Sequence, residues 1–147
     1  PRRQGGRGGV YLNGRRHIQM LLWQAAVCRL PVEADIPAWA CKSAFFSLTR
    51  TEEELSVVCQ EELVPKGIQC EKNWRILKIQ GVLDFSLVGI LAAISTLLAE
   101  AGISIFAIST YDTDYVLVQE RQVTQAVAVL RAAGHCVEAK GECDIFM

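Results

Sequence analysis

The sequence predicts an α+β fold, in which one βαββαβ unit over residues 74–139 follows a shortened, related βαββ unit. Two β-branched and apolar runs, 103–110 and 115–118, predict strands joined by a short polar turn. Two segments with apolar residues at three- and four-residue spacing, 87–101 and 123–130, predict helices with one apolar stripe each. Each helix can bury its stripe only against a shared sheet, which gives the ferredoxin-like plan.

The ends of both helices carry recognisable residues. Asp84 or Ser86 can cap the start of the first helix, because their side chains accept hydrogen bonds from its first N–H groups. Gly102 and Gly134 follow the last apolar residues of the two helices, where a left-handed residue without Cβ strain is favoured. Gly89 is expected within the first helix, where it permits close approach of a neighbour or ligand.

The chain divides by composition into five parts. The glycine- and arginine-rich start is expected to be a flexible basic tail, because like charges repel and glycine is costly to order. Strand-like runs and a short helical turn follow, and then a polar connector leads into the clearest unit. The expected boundaries are 1–19 for the tail, 20–65 for the shortened N-terminal unit, 66–73 for the connector, 74–139 for the βαββαβ unit and 140–147 for a second tail.

Composition limits the classes of function. Of the 147 residues, 51% are hydrophobic and 21% charged, which is enough apolar material for a packed core. The net charge of -1 argues against a general nucleic-acid surface, which needs excess positive charge. No apolar run reaches the roughly 18–20 residues that span a bilayer, so no membrane partner is expected.

The six cysteines show no C-x-x-C pair, so their spacing predicts neither a zinc site nor a redox motif. Several follow apolar residues, as Cys28 and Cys59 do, and free cysteine there behaves as a small buried hydrophobe. We therefore expect free thiols in a reducing cytoplasm, no metal and no cofactor.

At this point four stretches resemble the small bacterial ACT-domain proteins that are built from two ACT units. The last stretch also resembles the ACT units of the cytosolic arginine sensor CASTOR. The similarity runs from about residue 26 to about residue 137. The stretches are FFSLTRT at 45–51, ELSVVC at 54–59, LDFSLVGIL at 83–91 and ISIFAISTYDTDYVLV at 103–118.

The resemblance implies a regulatory module that binds a free amino acid between paired ACT units and performs no catalysis. In the family's sensors the aspartate matching Asp114 contacts the amino acid, and the strand-to-helix loop covers it. The resemblance therefore assigns ligand-binding roles to a set of residues on the hairpin, on the loop and, more weakly, on the N-terminal hairpin. These are Asp114, Thr110, Tyr111, Asp84, Ser86, Gly89, Ser56 and Val57.

The chemistry of a free amino acid suits these positions. Asp114 can face an ammonium or a guanidinium, and the N–H groups at the start of the first helix favour a carboxylate. A second interpretation is that Asp114 only orders the turn, since Asp bonds nearby backbone groups well. Asp84 is better read as a helix cap than as a ligand group.

Other functions are compatible with this fold class. A structural or assembly module without a ligand is the main alternative, and an RNA-binding domain is a weaker one because the predicted central strands carry few aromatics. A small hydrolase of the acylphosphatase type lacks a suitably placed phosphate cradle. Edges and helix faces left over from internal pairing favour a homodimer.

Overall fold

The computed structural model describes residues 15–80 and 89–139. Within them the chain forms seven strands, two α-helices and three short 3-10 turns, the latter at Ala40–Lys42, Glu61–Leu63 and Glu120–Gln122. The strands are β1 His17–Leu30, β2 Ser47–Arg50, β3 Leu55–Gln60, β4 Gln69–Ile79, β5 Ile105–Ser109, β6 Asp114–Gln119 and β7 Cys136–Ala139. The helices are α1 Ile90–Glu100 and α2 Val123–Ala132. No described helix combines the length and the apolarity needed to cross a bilayer.

The chain folds as two compact units. The N-terminal unit is Trp23–Arg75. The C-terminal unit joins Pro1–Leu22 to Ile76–Met147, so it takes its residues from both ends of the sequence. The long strands β1 and β4 each contribute residues to both units.

In the C-terminal unit the strand order is β7-β1-β4-β6-β5. Both helices pack against this sheet, because their apolar stripes can be buried only there. Its α+β architecture confirms the predicted fold class. The buried core consists of Ile18, Leu77, Ile79, Ile94, Leu98, Ile103, Val116, Val118, Val123, Ala126, Leu130 and Val137.

The pairing of β7 differs from the simplest form of the predicted plan. β7 runs parallel to the start of β1, with His17 opposite Cys136 and Ile18 opposite Val137. The predicted tail ends at residue 19, whereas β1 begins at His17. The physical reason is the buried side chain of Ile18, which is 2% exposed and joins the core of this unit.

The N-terminal unit is built on an antiparallel sheet, in which β3 pairs with both β1 and β2. Side chains of alternate residues meet on one face and form a second core, as the strand periodicity requires. Arg50 closes the unit at one end, where its guanidinium donates to the carbonyl oxygens of Val32 and Ala34. The core residues are Ala26, Cys28, Leu30, Ala40, Leu55, Val57 and Cys59.

β4 begins within the segment that the sequence analysis assigns to a connector. Within this strand Asn73 adopts a left-handed conformation with φ 67°. The N–H of Asn73 donates to the Glu61 carboxylate at 2.6 Å. A polar strand with a left-handed residue has no regular alternation, which explains why its first half reads as a connector.

Both helices end in the same way. After α1, Ile103 N–H donates to the Leu98 carbonyl and Gly102 N–H to the Ala99 carbonyl, both at 2.9 Å. Gly102 has φ 77° and Gly134 has φ 100°, so each closes its helix in the left-handed conformation. This is the Schellman arrangement, and it confirms the two predicted glycine stops.

Candidate functional site

The turn between β5 and β6 is tightly closed by two threonines. Thr110 N–H donates to the Thr113 carbonyl at 2.8 Å, and the Thr110 hydroxyl donates to the same oxygen at 3.1 Å. In return Thr113 N–H lies 3.3 Å from the Thr110 hydroxyl oxygen. Thr110 is predicted from the sequence to bind a ligand. In the structure its hydroxyl makes hydrogen bonds within the turn.

Thr113 fixes this turn to the end of β4. Its buried hydroxyl donates to the Ile79 carbonyl at 2.7 Å, a bond between residues 34 positions apart. Ile79 is the last residue of β4, and the chain leaves there towards α1. The hairpin turn is thus held beside the end of β4 in the same unit.

Asp114 is the first residue of β6 and is half-buried. It lies on the same strand face as Val116 and Val118, which belong to the helix-covered core, because side chains two apart share a face. The Ser109 hydroxyl donates to one carboxylate oxygen at 2.6 Å. That bond uses one of about four lone-pair positions, so the carboxylate can still accept donors from a ligand.

The start of α1 supplies N–H donors in the same unit. Gly89 precedes the helix with φ 82°, so it caps the helix rather than lying within it as the sequence analysis expects. The first intrahelical bond runs from Ala93 N–H to the Gly89 carbonyl at 2.8 Å. The N–H groups before Ala93 have no partner inside the helix and carry its positive end.

The remaining predicted site residues are placed differently. Tyr111 is 69% exposed at the tip of the hairpin. Ser56 and Val57 lie on β3 of the N-terminal unit, where Val57 is fully buried in the core and presents no side chain to solvent. Asp84 and Ser86 lie outside the described residues.

The C-terminal unit has a basic pocket of about 480 Å³ that was not predicted from the sequence. Its lining includes three arginines and two histidines, namely Arg15, Arg16, Arg131, His17 and His135. The available signal was the basic run at residues 15–17 together with Arg131 and His135, but the run has the composition of a tail. The parallel pairing of β1 with β7 brings these basic residues together.

The described cysteines are free thiols: Cys28, Cys41, Cys59, Cys70 and Cys136. Burial, with a smaller effect of the neighbouring Cys70 and Cys59, raises the pKa of Cys28 to about 12, and burial raises the pKa of Cys59 to about 11. Such thiols are poor nucleophiles at neutral pH. Across the ranges 15–80 and 89–139, no group of three or more His, Cys, Asp or Glu could hold a metal ion.

The fold and the hairpin place the chain in a class of α+β proteins that consist of two units. In this class, polar residues lie at one end of a sheet that is covered by helices. The profile of the ACT domain matches residues 69–132, and a second profile, described as an N-terminal domain, matches residues 24–67. A crystal structure of a protein from Agrobacterium tumefaciens is 33% identical over 86% of this chain and 94% of its own, with a TM-score of 0.81. The chain therefore belongs to the ACT-domain family, which confirms the resemblance.

More distant structures share the fold. A Vibrio cholerae protein, described as a possible transport protein, is 21% identical over 80% of this chain and 88% of its own, with a TM-score of 0.64. The regulatory subunit of aspartate kinase from Thermus flavus is 13% identical over 80% and 96%, with a TM-score of 0.57. Comparison with the curated proteins gives no match.

Proposed function

We propose that this chain is a non-catalytic regulatory module that binds a free amino acid at the hairpin end of its C-terminal unit. The single observation that carries the proposal is the bond from Thr113 to Ile79, which holds the start of β6 beside the end of β4. Membership of the ACT-domain family and the aspartate kinase regulatory subunit among its structural neighbours support a regulatory role.

In the proposed complex Asp114 accepts hydrogen bonds from the ammonium of the amino acid. The hydroxyl of Ser109 holds one carboxylate oxygen in place and so limits the rotation of the side chain. The carboxylate of the amino acid takes the first N–H groups of α1, where the helix dipole favours negative charge. Each charge-assisted hydrogen bond contributes about 1.5–3 kcal/mol.

The experiment is a screen of the common amino acids by thermal shift, followed by calorimetric titration of any that stabilises the protein. Asp114→Asn keeps the shape of the side chain but removes its charge, so we expect the affinity to fall by at least about tenfold. Asp112→Asn is the matched control, because Asp112 is exposed in the same turn. Its affinity should stay within about twofold of the parent, as for a screened surface charge.

Two outcomes would contradict the proposal. One is a folded protein that no amino acid stabilises at millimolar concentration. The other is an equal loss of affinity in the two variants, which would show that the aspartate has no specific role.

A second function is a structural or assembly module without a ligand. The observation in its favour is that Ser109 already satisfies one oxygen of Asp114 within the hairpin. In that case Asp114→Asn would lower the thermal stability of the protein, and no amino acid would restore it.

A further inference from the structure

The basic pocket in the C-terminal unit has no part in the site proposed above. It opens where the residues around the start of β1 meet the turn from α2 to β7, and its volume is about 480 Å³. Pockets of this size commonly enclose small metabolites. Its lining combines guanidinium groups from two distant parts of the sequence.

The backbone around the cavity is fixed by hydrogen bonds. Arg16 N–H donates to Nδ1 of His135 at 3.1 Å, and Cys136 N–H donates to the Arg16 carbonyl at 3.0 Å. The Schellman end of α2 adds a bond from His135 N–H to the Leu130 carbonyl at 3.1 Å. Three hydrogen bonds therefore fix the backbone of the cavity wall before any ligand binds.

The side chain of His135 lines the cavity and acts there as a neutral hydrogen-bond donor. Its Nδ1 accepts the N–H of Arg16, which puts the ring proton on Nε2. Burial lowers the pKa of His135, and the charge of Arg16 lowers it further. At neutral pH the imidazole thus contributes a donor and no charge.

The positive charge of the cavity comes from its arginines. The guanidinium of Arg131 donates to the Val137 carbonyl at 2.6 Å, which uses one of its five N–H groups and fixes its direction. Arg15 packs over Gly134, with its Cγ and Nε 3.9 Å from the position of a Cβ built there. Both side chains therefore keep donors for a further acceptor.

Two features near this cavity are electrostatically unfavourable for a bound anion. α2 ends at this cavity, so its last carbonyls are directed towards it, although Arg131 in the last turn offsets them. Glu138 on β7 accepts from the Cys136 thiol at 3.6 Å and is the neighbouring carboxylate. Among residues 15–80 and 89–139, this one carboxylate beside the three arginines of the lining leaves the cavity net positive.

We propose that this cavity binds a small oxyanion of the phosphate class, either free phosphate or the phosphate group of a metabolite. Guanidinium forks match the spacing of phosphate oxygens and bind them with two parallel hydrogen bonds. Arg131 and Arg15 supply such forks, and Nε2 of His135 supplies a neutral donor. Binding ties the start of β1 to the turn after α2.

The test is calorimetric titration of the whole chain at pH 7.5 and constant ionic strength. One arm uses inorganic phosphate and another ribose 5-phosphate, so tighter binding of the second identifies a phosphate ester as the ligand. Saturable binding of either probe is expected. Absence of binding of both at millimolar concentration in folded protein overturns the proposal.

The variants decide which residues hold the anion. Arg15→Gln should weaken phosphate binding by about tenfold, because it removes one charge-assisted contact. Arg121→Gln is the matched control, since Arg121 is exposed on the turn before α2 and should leave binding unchanged. An equal loss in both variants would show general electrostatic attraction and overturn the proposal.

Arg131→Lys provides a second measurement that retains the charge. A lysine cannot form the paired hydrogen bonds of a guanidinium, so we expect weaker phosphate binding in a protein with unchanged circular dichroism. Unchanged affinity in this variant and in Arg15→Gln would exclude the arginine forks as the binding groups.

Discussion

His135 is buried in the folded chain, where its ring accepts a backbone hydrogen bond. Its Nδ1 accepts the N–H of Arg16, so the ring must stay unprotonated at that atom to keep the bond. Burial lowers its pKa from the ordinary 6.5, and the nearby Arg16 charge lowers it further, while Glu138 lies on the adjacent strand. The folded protein therefore resists protonation of this ring.

The consequence is a pH dependence of stability. The unfolded chain binds the proton at higher pH than the folded chain, so the stabilisation is complete above about pH 6.5 and is lost as the pH falls towards the folded value. His135→Asn retains an acceptor near the Nδ1 position but does not titrate. We expect urea unfolding of the parent to lose more free energy between pH 7.5 and 5.5 than unfolding of the variant.

His17→Asn is the control for this measurement, because His17 is exposed at the other side of the same cavity. It should follow the parent across the pH range. Equal pH dependence in all three proteins would show that the bond from Arg16 to His135 has no part in the acid response.

At this scale sequence reasoning identifies single residues but not their partners. Asp114 is identified from its place at the start of the last hairpin strand and from the family resemblance, yet its bond to Ser109 and the bond from Thr113 to Ile79 depend on the register of three strands. Val57 illustrates the opposite case. It is named for a ligand wall by resemblance, but strand periodicity directs its side chain into a core.

Among the elements, β1 is unusual because it is 14 residues long and serves both units. Its last six residues pair with β3, and its first four pair with β7. The first four residues of β1 therefore include one buried residue. This residue is Ile18, whose side chain belongs to the same core as the buried residues of α1 and α2.

Ile18→Ala tests the contribution of this part of the strand. Removing a buried isoleucine side chain costs about 2–5 kcal/mol, so the free energy of unfolding measured in urea should fall by that amount. Leu22→Ala is the matched control in the same strand, because Leu22 is 63% exposed. Its effect should be within about 0.5 kcal/mol, as at other surface sites.

A loss below about 0.5 kcal/mol for Ile18→Ala would mean that residues 17–20 do not contribute a stable strand.

The elements also show where local signals are reliable. Gly102 and Gly134 mark the helix ends correctly, because a left-handed closing residue is a local requirement. The limits of β1 and β4 are less visible in the sequence. The basic residues before Ile18 resemble those of a tail, and Asn73 breaks the alternation of β4.

At the scale of the whole molecule, the edges of the sheets decide how copies of the chain can meet. Among the described strands β5 lies at one end of the path β7-β1-β4-β6-β5, with β6 as its neighbour. An edge strand offers unpaired backbone groups to a second copy. We therefore expect a homodimer, as in proteins that pair sheets side by side.

Light scattering across a range of concentrations measures this association. Ala107→Lys places a charge at an exposed position of β5 and should shift the protein towards the monomer mass, because charged side chains block edge pairing. Thr124→Lys, an exposed position on α2, should not change the mass. A monomer mass for the parent at all concentrations would contradict the expectation.

The overall architecture is the part that the sequence predicts best, because helix and strand periodicities are local and the two glycine stops limit the possible arrangements. The connection that it does not predict is the return of β7 to the start of β1. That contact joins residues 119 positions apart, as in the bond from Arg16 to His135, and no local pattern encodes it.

The return of β7 to β1 also determines the order of events during synthesis. The hairpin of β5 and β6 and the hairpin of β2 and β3 join neighbouring residues and can form as soon as they leave the ribosome. The pairing of His17 with Cys136 must wait until Cys136 has emerged, 119 positions after His17. Contacts between residues so far apart in the sequence slow folding. Completion of the C-terminal unit is therefore expected to limit the folding rate of the protein.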